Sequence, residues 1–151
     1  MAISKASAQW NGTLKSGSGV MKPAHAAEIP FSLGSRFEGQ SGSNPEELVG
    51  AAFAGCFSMA LSVALEQAGS AAKTIRTTAT VKLERRGWGG SADTDSPFEI
   101  TSVDLTTEVD APGMDDGRFQ QIVDVTKKNC PVGKALASVK ELGVSAKLVS
   151  K

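Results

Sequence analysis

The chain has 151 residues, of which 40% are hydrophobic and 21% are charged, a composition that indicates a globular domain with a core of its own. Its 16 basic and 16 acidic residues cancel, so the formal net charge is +0. This balance excludes a broad electrostatic attraction to nucleic acid or to an anionic membrane, and it mildly favours self-association. We therefore expect one domain over residues 1–151, with no nucleic acid and no membrane as partner.

The first 41 residues predict strands and a cytoplasmic location. The opening segment, MAISKASAQW, lacks the continuous apolar core of a signal peptide. Residues 8–41 alternate short polar and apolar stretches separated by glycines, a pattern typical of a β-meander with turns. In the cytoplasm a disulfide is more often transient and catalytic than structural, which bears on the two cysteines that follow.

The next segment, SNPEELVGAAFAGCFSMALSVALEQAG, carries the signals of a helix. Asn44 suits the N-cap, Pro45 the first helical position and Gly69 the terminating position. The apolar run from Leu48 to Ala64 is interrupted by glycine and serine and is marginal in length for a membrane span, so we expect a buried helix. Because this helix is apolar on nearly every side, we expect a second subunit to cover the face that one small domain leaves open.

The rest of the chain predicts two strands, then two helices, then a final strand. In order, these are a strand at 74–86, a glycine-rich acidic loop at 87–97, a strand at 98–109, helices at 114–129 and 132–139, and a strand at 143–149. Strands grouped at both ends of the chain around central helices indicate an α+β fold and exclude an alternating parallel sheet.

The two cysteines are the candidate chemistry of the chain. With only one histidine beside them, they provide too few ligands for a structural zinc site unless carboxylates join or subunits share it, and we expect no cofactor. Cys56, in the apolar run, has the position of a thiol that packs as a small hydrophobe. Cys130 precedes Pro131 at a predicted helix start, and a helix N-terminus stabilises a thiolate, so helix-end electrostatics predicts Cys130 as the more acidic thiol.

A buried thiol reacts only if a neighbouring group stabilises its anion. The candidates are Arg36 in SLGSRFEG and the pair Glu46 and Glu47. An arginine stays charged and presents a planar fork of donors, so it can stabilise a thiolate and bind a carboxylate together. Taken alone, Arg36 is equally consistent with a solvated turn residue, and the two glutamates with charges that complement the helix dipole.

Several motifs together resemble the OsmC/Ohr family, the osmotically inducible protein C and organic hydroperoxide resistance proteins. They are the Arg-Phe-Glu-Gly stretch from Arg36, the Asn-Pro-Glu-Glu-Leu motif at 44–48, a cysteine ten residues after its first glutamate, and Cys-Pro-Val from Cys130. The similarity covers nearly the whole chain, and its lead-in resembles the OsmC branch more than the Ohr branch. It implies an OsmC-like fold in which antiparallel sheets wrap around central buried helices in an intertwined homodimer.

The resemblance also implies an activity, that of a thiol peroxidase that reduces organic hydroperoxides to alcohols and protects against oxidative or osmotic stress. By position, Cys56 matches the peroxidatic cysteine, Cys130 the resolving cysteine, Arg36 the arginine that activates the thiolate and Glu46 its acidic partner. Family members place their active sites at the dimer interface and use dithiols such as lipoyl groups as reductant. The resemblance therefore favours Cys56 as the attacking thiol, against the helix-end argument.

Helix geometry leaves open which subunit supplies Glu46. In a straight helix, Glu46 and Cys56 lie about 15 Å apart along the axis. Either the helix breaks near Gly50 or Gly55, or Glu46 serves the partner subunit's Cys56.

The substrate pocket is the least determined part of the site. Phe37, Phe53, Phe57 and Met59 are candidates to line the alkyl group, although all four could equally be core residues. The family often has histidine where this chain has Phe53, which leaves the substrate preference open. Two alternatives to a peroxidase also remain open: a non-catalytic redox-sensing or ligand-binding dimer, and a structural dimer with two inert buried cysteines.

Overall fold

In a computed structural model of the chain, residues 1–85 and 98–149 are described, so the predicted loop at 87–97 lies outside the described residues. The chain divides into two compact units, Met1–Glu47 and Leu48–Lys151. That the two together form one domain over residues 1–151 stays a prediction.

The smaller unit contains the predicted meander. Strands β1 (Ala6–Asn11), β2 (Ser18–Pro23) and β3 (Ile29–Ser32) form an antiparallel sheet in the order β1-β2-β3. The rings of Trp10 and Phe31 pack on each other with centroids 5.4 Å apart.

A short helix that the sequence analysis did not predict follows this sheet. Helix α1 (Leu33–Phe37) begins directly after β3. The Ser35 backbone N–H donates to the Ser32 hydroxyl, and the Ser32 backbone N–H donates to the Ser35 hydroxyl. This reciprocal capping satisfies two backbone donors and fixes where α1 starts. Arg36 is therefore a helical residue and not, as one interpretation of the sequence had it, a residue of a turn.

The long apolar segment forms helix α2 (Pro45–Gln67), and every one of its 23 residues is helical. The Glu47 backbone N–H donates to the Asn44 side-chain oxygen over 2.9 Å, which confirms Asn44 as the cap. Gly69 follows the end of the helix with a φ of 82°, a conformation that glycine adopts without steric cost.

The larger unit contains a mixed sheet and two helices that form a crossover connection between two of its strands. Strands β4 (Thr74–Arg85) and β5 (Phe98–Asp110) pair antiparallel, and β6 (Glu141–Leu148) pairs parallel with β5. Helices α3 (Asp116–Asn129) and α4 (Pro131–Ala135) lie between β5 and β6 in the chain and supply the crossover that a parallel pair requires. The α+β class is confirmed, although α4 ends at Ala135 and not at 139.

One face of α2 forms the centre of the core in this unit. The side chains that recur every four residues along it, Phe53, Phe57, Leu61 and Leu65, are all 0% exposed. They belong to one apolar cluster with residues of β5 and α3, among them Val103, Leu105, Val109, Phe119 and Val123.

The opposite face of α2 is open in the single chain. Met59 is 74% exposed and Val63 is 53% exposed, and the small residues Ala52 and Gly55 are exposed beside them. The exposed face agrees with the expectation that one small domain leaves part of α2 open, and that a second subunit covers this face stays a prediction. By length and hydropathy α2 could also cross a membrane, but its repeat of buried side chains is that of a core helix packed on a sheet.

Candidate active site

The two cysteines meet in the larger unit. The Sγ atom of Cys130 lies 2.9 Å from the Sγ atom of Cys56 and donates its S–H to it, and both residues are free thiols. Cys56, on α2, is partly exposed, whereas Cys130 is completely buried. The structure thus brings together two predicted site residues that the sequence could not show to be neighbours.

The junction between α3 and α4 positions Cys130. Its backbone N–H donates to the Thr126 carbonyl and closes α3, while its carbonyl accepts from the Lys134 N–H at the start of α4, each over 2.9 Å. Pro131 occupies the first turn of α4, where its missing N–H costs nothing. These two hydrogen bonds fix the backbone of Cys130 and with it the direction of its Cα–Cβ bond.

Burial raises the pKa of the Cys130 thiol above its ordinary value. Loss of solvent is the main factor that raises the pKa of the Cys130 thiol, and its S–H bond to Cys56 raises it further. The backbone N–H groups of Gly133 and Val132 act in the opposite direction without reversing the shift. The expectation that the helix start lowers the pKa of this thiol is therefore wrong, because a five-residue helix offsets only part of the cost of burying a thiolate.

The four apolar residues that are candidates to line the substrate pocket differ in how exposed they are. Phe53 and Phe57 have no exposed surface, whereas Met59 lies on the open face of α2 and Phe37, on α1, is 44% exposed. The Phe53 ring packs against α4, where a Cβ built on Gly133 would lie 3.1 Å from the ring edge. A contact between substrate and either buried ring requires an opening in the core, so the lining role of all four residues stays a prediction.

The arginine and the glutamate form a bidentate ion pair in the smaller unit. The Nε of Arg36 donates to Oε2 of Glu46 over 3.0 Å, and its Nη2 donates to Oε1. The Glu46 side chain is only 11% exposed and that of Arg36 is 35% exposed. The guanidinium also lies over the Phe37 ring, 5.2 Å from its centroid. Arg36 is therefore held in one orientation by its carboxylate partner and by the neighbouring ring.

The second glutamate has a separate role. The Ser43 hydroxyl donates to the Glu47 carboxylate over 2.6 Å, so Glu47 pairs with a residue at the start of α2 and not with Arg36.

Sequence reasoning missed Ser35, whose hydroxyl donates to the Ser43 carbonyl over 2.7 Å and connects α1 to the residues before α2. Its only signal was a serine three positions after another serine, which is the spacing of a capping pair.

The described residues contain no group of three or more histidine, cysteine, aspartate or glutamate side chains that could hold a metal ion.

Comparisons with known proteins point to one family. Residues 38–144 match the family model described as OsmC-like protein. The chain is 41% identical over 134 residues to Peroxiredoxin OsmC of Escherichia coli (strain K12), covering 87% of this chain and 88% of that protein. In fold it is similar to an OsmC-like protein from Mycoplasma pneumoniae, with a TM-score of 0.73, 17% identity and 98% of both chains covered. It is also similar to an organic hydroperoxide resistance protein OsmC from Legionella pneumophila, with a TM-score of 0.70, 18% identity and both chains covered completely.

Proposed function

The chain belongs to the OsmC-like protein family, and from this premise we propose that it is a thiol peroxidase that reduces organic hydroperoxides to alcohols. The resemblance found in the sequence motifs is thereby confirmed, including its OsmC branch. The peroxidase activity is supported by the name of the Escherichia coli relative, a peroxiredoxin. The organic substrate is supported by the apolar surroundings of Cys56 and by the name of the relative from Legionella pneumophila.

The single observation that carries the proposal is the contact between the two sulfur atoms. A partly exposed thiol and a buried thiol lie 2.9 Å apart, so a sulfenic acid formed on the first meets the second without a large rearrangement. Oxidation to a sulfenic acid followed by condensation with a neighbouring thiol is the reversible route of thiol peroxidases. Two inert core cysteines need no such contact.

In the first step, the Cys56 thiolate attacks the terminal oxygen of the hydroperoxide ROOH. A sulfur–oxygen bond forms, the O–O bond breaks, and the alkoxide leaves as alcohol after it takes up a proton. Cys56 becomes a sulfenic acid and has been oxidised by two electrons. Of the two residues only Cys56 has exposed surface, which supports Cys56 over Cys130 as the attacking residue.

In the second step, Cys130 attacks the Cys56 sulfur and water leaves, so that a Cys56–Cys130 disulfide forms. An external dithiol then reduces the disulfide and restores both thiols, which closes the cycle. Lipoyl-type dithiols are the reductant that the family resemblance implies.

We assign Arg36 to charge stabilisation in the first step, with Glu46 as the residue that positions it. The carboxylate takes two of the five guanidinium N–H donors, and three remain for a thiolate or for the peroxide oxygens. Within the uninterrupted helix α2, ten residues separate Glu46 from Cys56, a rise of about 15 Å. We therefore propose that the pair of Arg36 and Glu46 serves the partner subunit's Cys56.

This proposal requires a homodimer, and the open face of α2 supports one. An exposed methionine and an exposed valine flank the small residues Ala52 and Gly55 on the helix that carries Cys56. Apolar surface of this kind on a soluble protein marks an interface. A cytoplasmic location is part of the same proposal, since free thiols persist in a reducing compartment.

A turnover assay tests the function. Purified protein with dithiothreitol should consume cumene hydroperoxide far faster than hydrogen peroxide, because the alkyl group adds apolar contacts that hydrogen peroxide lacks. Thiols that react equally slowly with both peroxides, without turnover, would identify a redox sensor and not a peroxidase.

A further inference from the structure

The contact between the two sulfur atoms has a second contact beside it. Phe53 precedes Cys56 by three positions on α2, and Gly133 follows Cys130, the cap of α4, by three positions. Residues three positions apart in a helix lie on the same side of it, about one turn from each other. The Phe53 ring lies against Gly133, so the same two helices meet at a ring and a glycine about one turn from the point where the sulfurs meet.

The fit between the ring and the glycine leaves no room for a side chain. A Cβ on Gly133 would lie 3.1 Å from Cε2 and 3.6 Å from Cζ of Phe53, whereas carbon atoms in contact stand about 3.5–4.0 Å apart. Phe53 is 0% exposed and belongs to the same core cluster as Cys130. Because a close-packed core gives the ring little space to move aside, a side chain at position 133 must push the start of α4 away from α2.

The backbone at Gly133 does not itself require glycine. Gly133 is a buried residue of α4 and is not one of the glycines with a positive φ, so alanine can adopt its conformation and is the better helix former. The Phe53 ring is therefore what excludes a side chain here. The Gly133 N–H also donates to the Cys130 sulfur, so a displacement of Gly133 also displaces a hydrogen-bond partner of that sulfur.

We propose that Phe53 is a positioning residue for disulfide formation, because its ring is the surface on which α4 rests and, together with Gly133, it sets the distance between the Cys56 and Cys130 sulfurs. The inference rests on the proposed function, since it concerns the second step of that cycle. In this step the Cys130 thiol gives up its proton, an S–S bond forms as the S–O bond of the Cys56 sulfenic acid breaks, and the oxygen leaves as water. The ring takes no part in these bond changes and acts by holding Cys130 within reach of Cys56.

The fate of the Cys56 sulfenic acid tests this assignment on the full chain. Reduced protein receives one equivalent of cumene hydroperoxide in the presence of dimedone, which traps sulfenic acids, and mass spectrometry gives the ratio of disulfide to dimedone adduct. This ratio does not depend on how fast the peroxide reacts. We expect Gly133→Ala to lower the ratio about tenfold, since a displacement of about 1 Å can cost about a hundredfold in rate.

Removal of the ring should rescue the alanine. Leucine lacks the ring atoms that a Cβ at position 133 would meet, so the double variant Phe53→Leu/Gly133→Ala should form disulfide more readily than Gly133→Ala and return the ratio to within about threefold of the unmodified protein. Phe53→Leu alone should lower the ratio, because α4 loses the surface on which it rests. Two changes that merely loosened the core independently would multiply their losses and show no rescue.

Gly117→Ala and Phe119→Leu are the matched controls. Gly117 is an exposed glycine of α3, where a Cβ would meet only the end of the exposed Asp115 side chain. Phe119 is another phenylalanine with no exposed surface in the same core cluster. Both substitutions leave the contact between Phe53 and Gly133 in place, so both ratios should equal that of the unmodified protein.

An unchanged ratio in Gly133→Ala, or a double variant that performs no better than Gly133→Ala, would overturn the assignment while the peroxide reaction stands. If Gly133→Ala does not fold, the comparison of Phe53→Leu with Phe119→Leu replaces it, and equal ratios in these two variants would overturn the assignment. If cumene hydroperoxide consumes no thiol in the unmodified protein, the proposed function fails and this inference fails with it.

Discussion

The Cys56 and Cys130 sulfur atoms lie 2.9 Å apart although 74 positions separate the two residues in the sequence. The contact joins the middle of a long core helix to the junction of two shorter ones. The contact is also asymmetric, because Cys56 is a partly exposed residue and Cys130 has no exposed surface. This asymmetry predicts different consequences when each thiol is removed.

The first prediction separates the two thiols. Cys56→Ser should lower peroxidase activity to the background rate, because the attacking atom is gone. Cys130→Ser should still lose its one thiol to a single equivalent of cumene hydroperoxide but should fail to turn over with dithiothreitol at the normal rate. Mass spectrometry of the Cys130→Ser product should show a sulfenic acid or its further oxidation products on Cys56. Full turnover by Cys56→Ser would refute the assignment of the attacking thiol.

The second prediction concerns pH. Burial raises the pKa of Cys130, so its thiolate should form only above the usual thiol value of about 8.5. In Cys56→Ser, where Cys130 is the one thiol that remains, titration of the thiolate absorbance at 240 nm should give a pKa above that value. In the unmodified protein the disulfide-forming step should accelerate as pH rises from 7 to 9, since the attacking thiolate becomes more abundant. A pKa below 8 would contradict the burial argument.

The positions of helices and strands could be predicted from the sequence where several local signals agree. Asn44, Pro45 and Gly69 mark both ends of α2, and the alternating β-branched residues mark β4 and β5. Helix α1 was missed because its five residues have little periodicity and depend on a serine pair for their start. The direction in which the pKa of Cys130 is shifted was predicted wrongly, because the sequence shows a helix start but not the burial that outweighs it.

The third prediction tests the ion pair of Arg36 and Glu46. Arg36→Ala should lower kcat/KM by about a hundredfold, the typical effect of removing a charge-stabilising donor from an active site. It should also lower the free energy of unfolding by about 1–3 kcal/mol, because the nearly buried Glu46 carboxylate loses its partner. Arg36→Lys should restore part of the stability but less of the activity, since an ammonium lacks the planar fork.

An exposed pair of the same unit serves as the control for stability. Lys22 and Glu28 form a salt bridge with both side chains more than half exposed. Lys22→Ala should change the free energy of unfolding by no more than about 0.5 kcal/mol and leave the activity unchanged. Equal urea denaturation midpoints for Arg36→Ala and Lys22→Ala would show that the ion pair of Arg36 and Glu46 contributes no more to the free energy of unfolding than an exposed pair does.

The fourth prediction tests the proposed dimer. Met59→Glu places a charge on the open face of α2, and burying an unpaired charge there should cost about 2 kcal/mol or more, or roughly thirtyfold in the dimer Kd. Sedimentation equilibrium should show the shift from dimer to monomer. Val125→Glu is the control, because Val125 is a 56% exposed residue of α3. A dimer that tolerates Met59→Glu as well as Val125→Glu would place the interface elsewhere.

The contact between the two cysteines could not be predicted from the sequence, for a physical reason. Contact between Cys56 and Cys130 depends on how α2 packs on α3 and α4, and no local pattern fixes that packing. The bidentate contact of Arg36 with Glu46 could be predicted only from the family resemblance. The two residues lie on separate helices, α1 and α2, so their spacing of ten residues in the sequence does not indicate whether they are in contact.

The most direct test of the account is a free-thiol count on fully reduced protein before and after one equivalent of cumene hydroperoxide, with hydrogen peroxide in parallel. Both thiols should disappear within seconds with the organic peroxide, a Cys56–Cys130 disulfide should be recovered by peptide mapping, and both thiols should persist far longer with hydrogen peroxide. Two thiols per chain that survive the organic peroxide would contradict the proposed peroxidase function, and the contact between Cys56 and Cys130 would then be only part of the core.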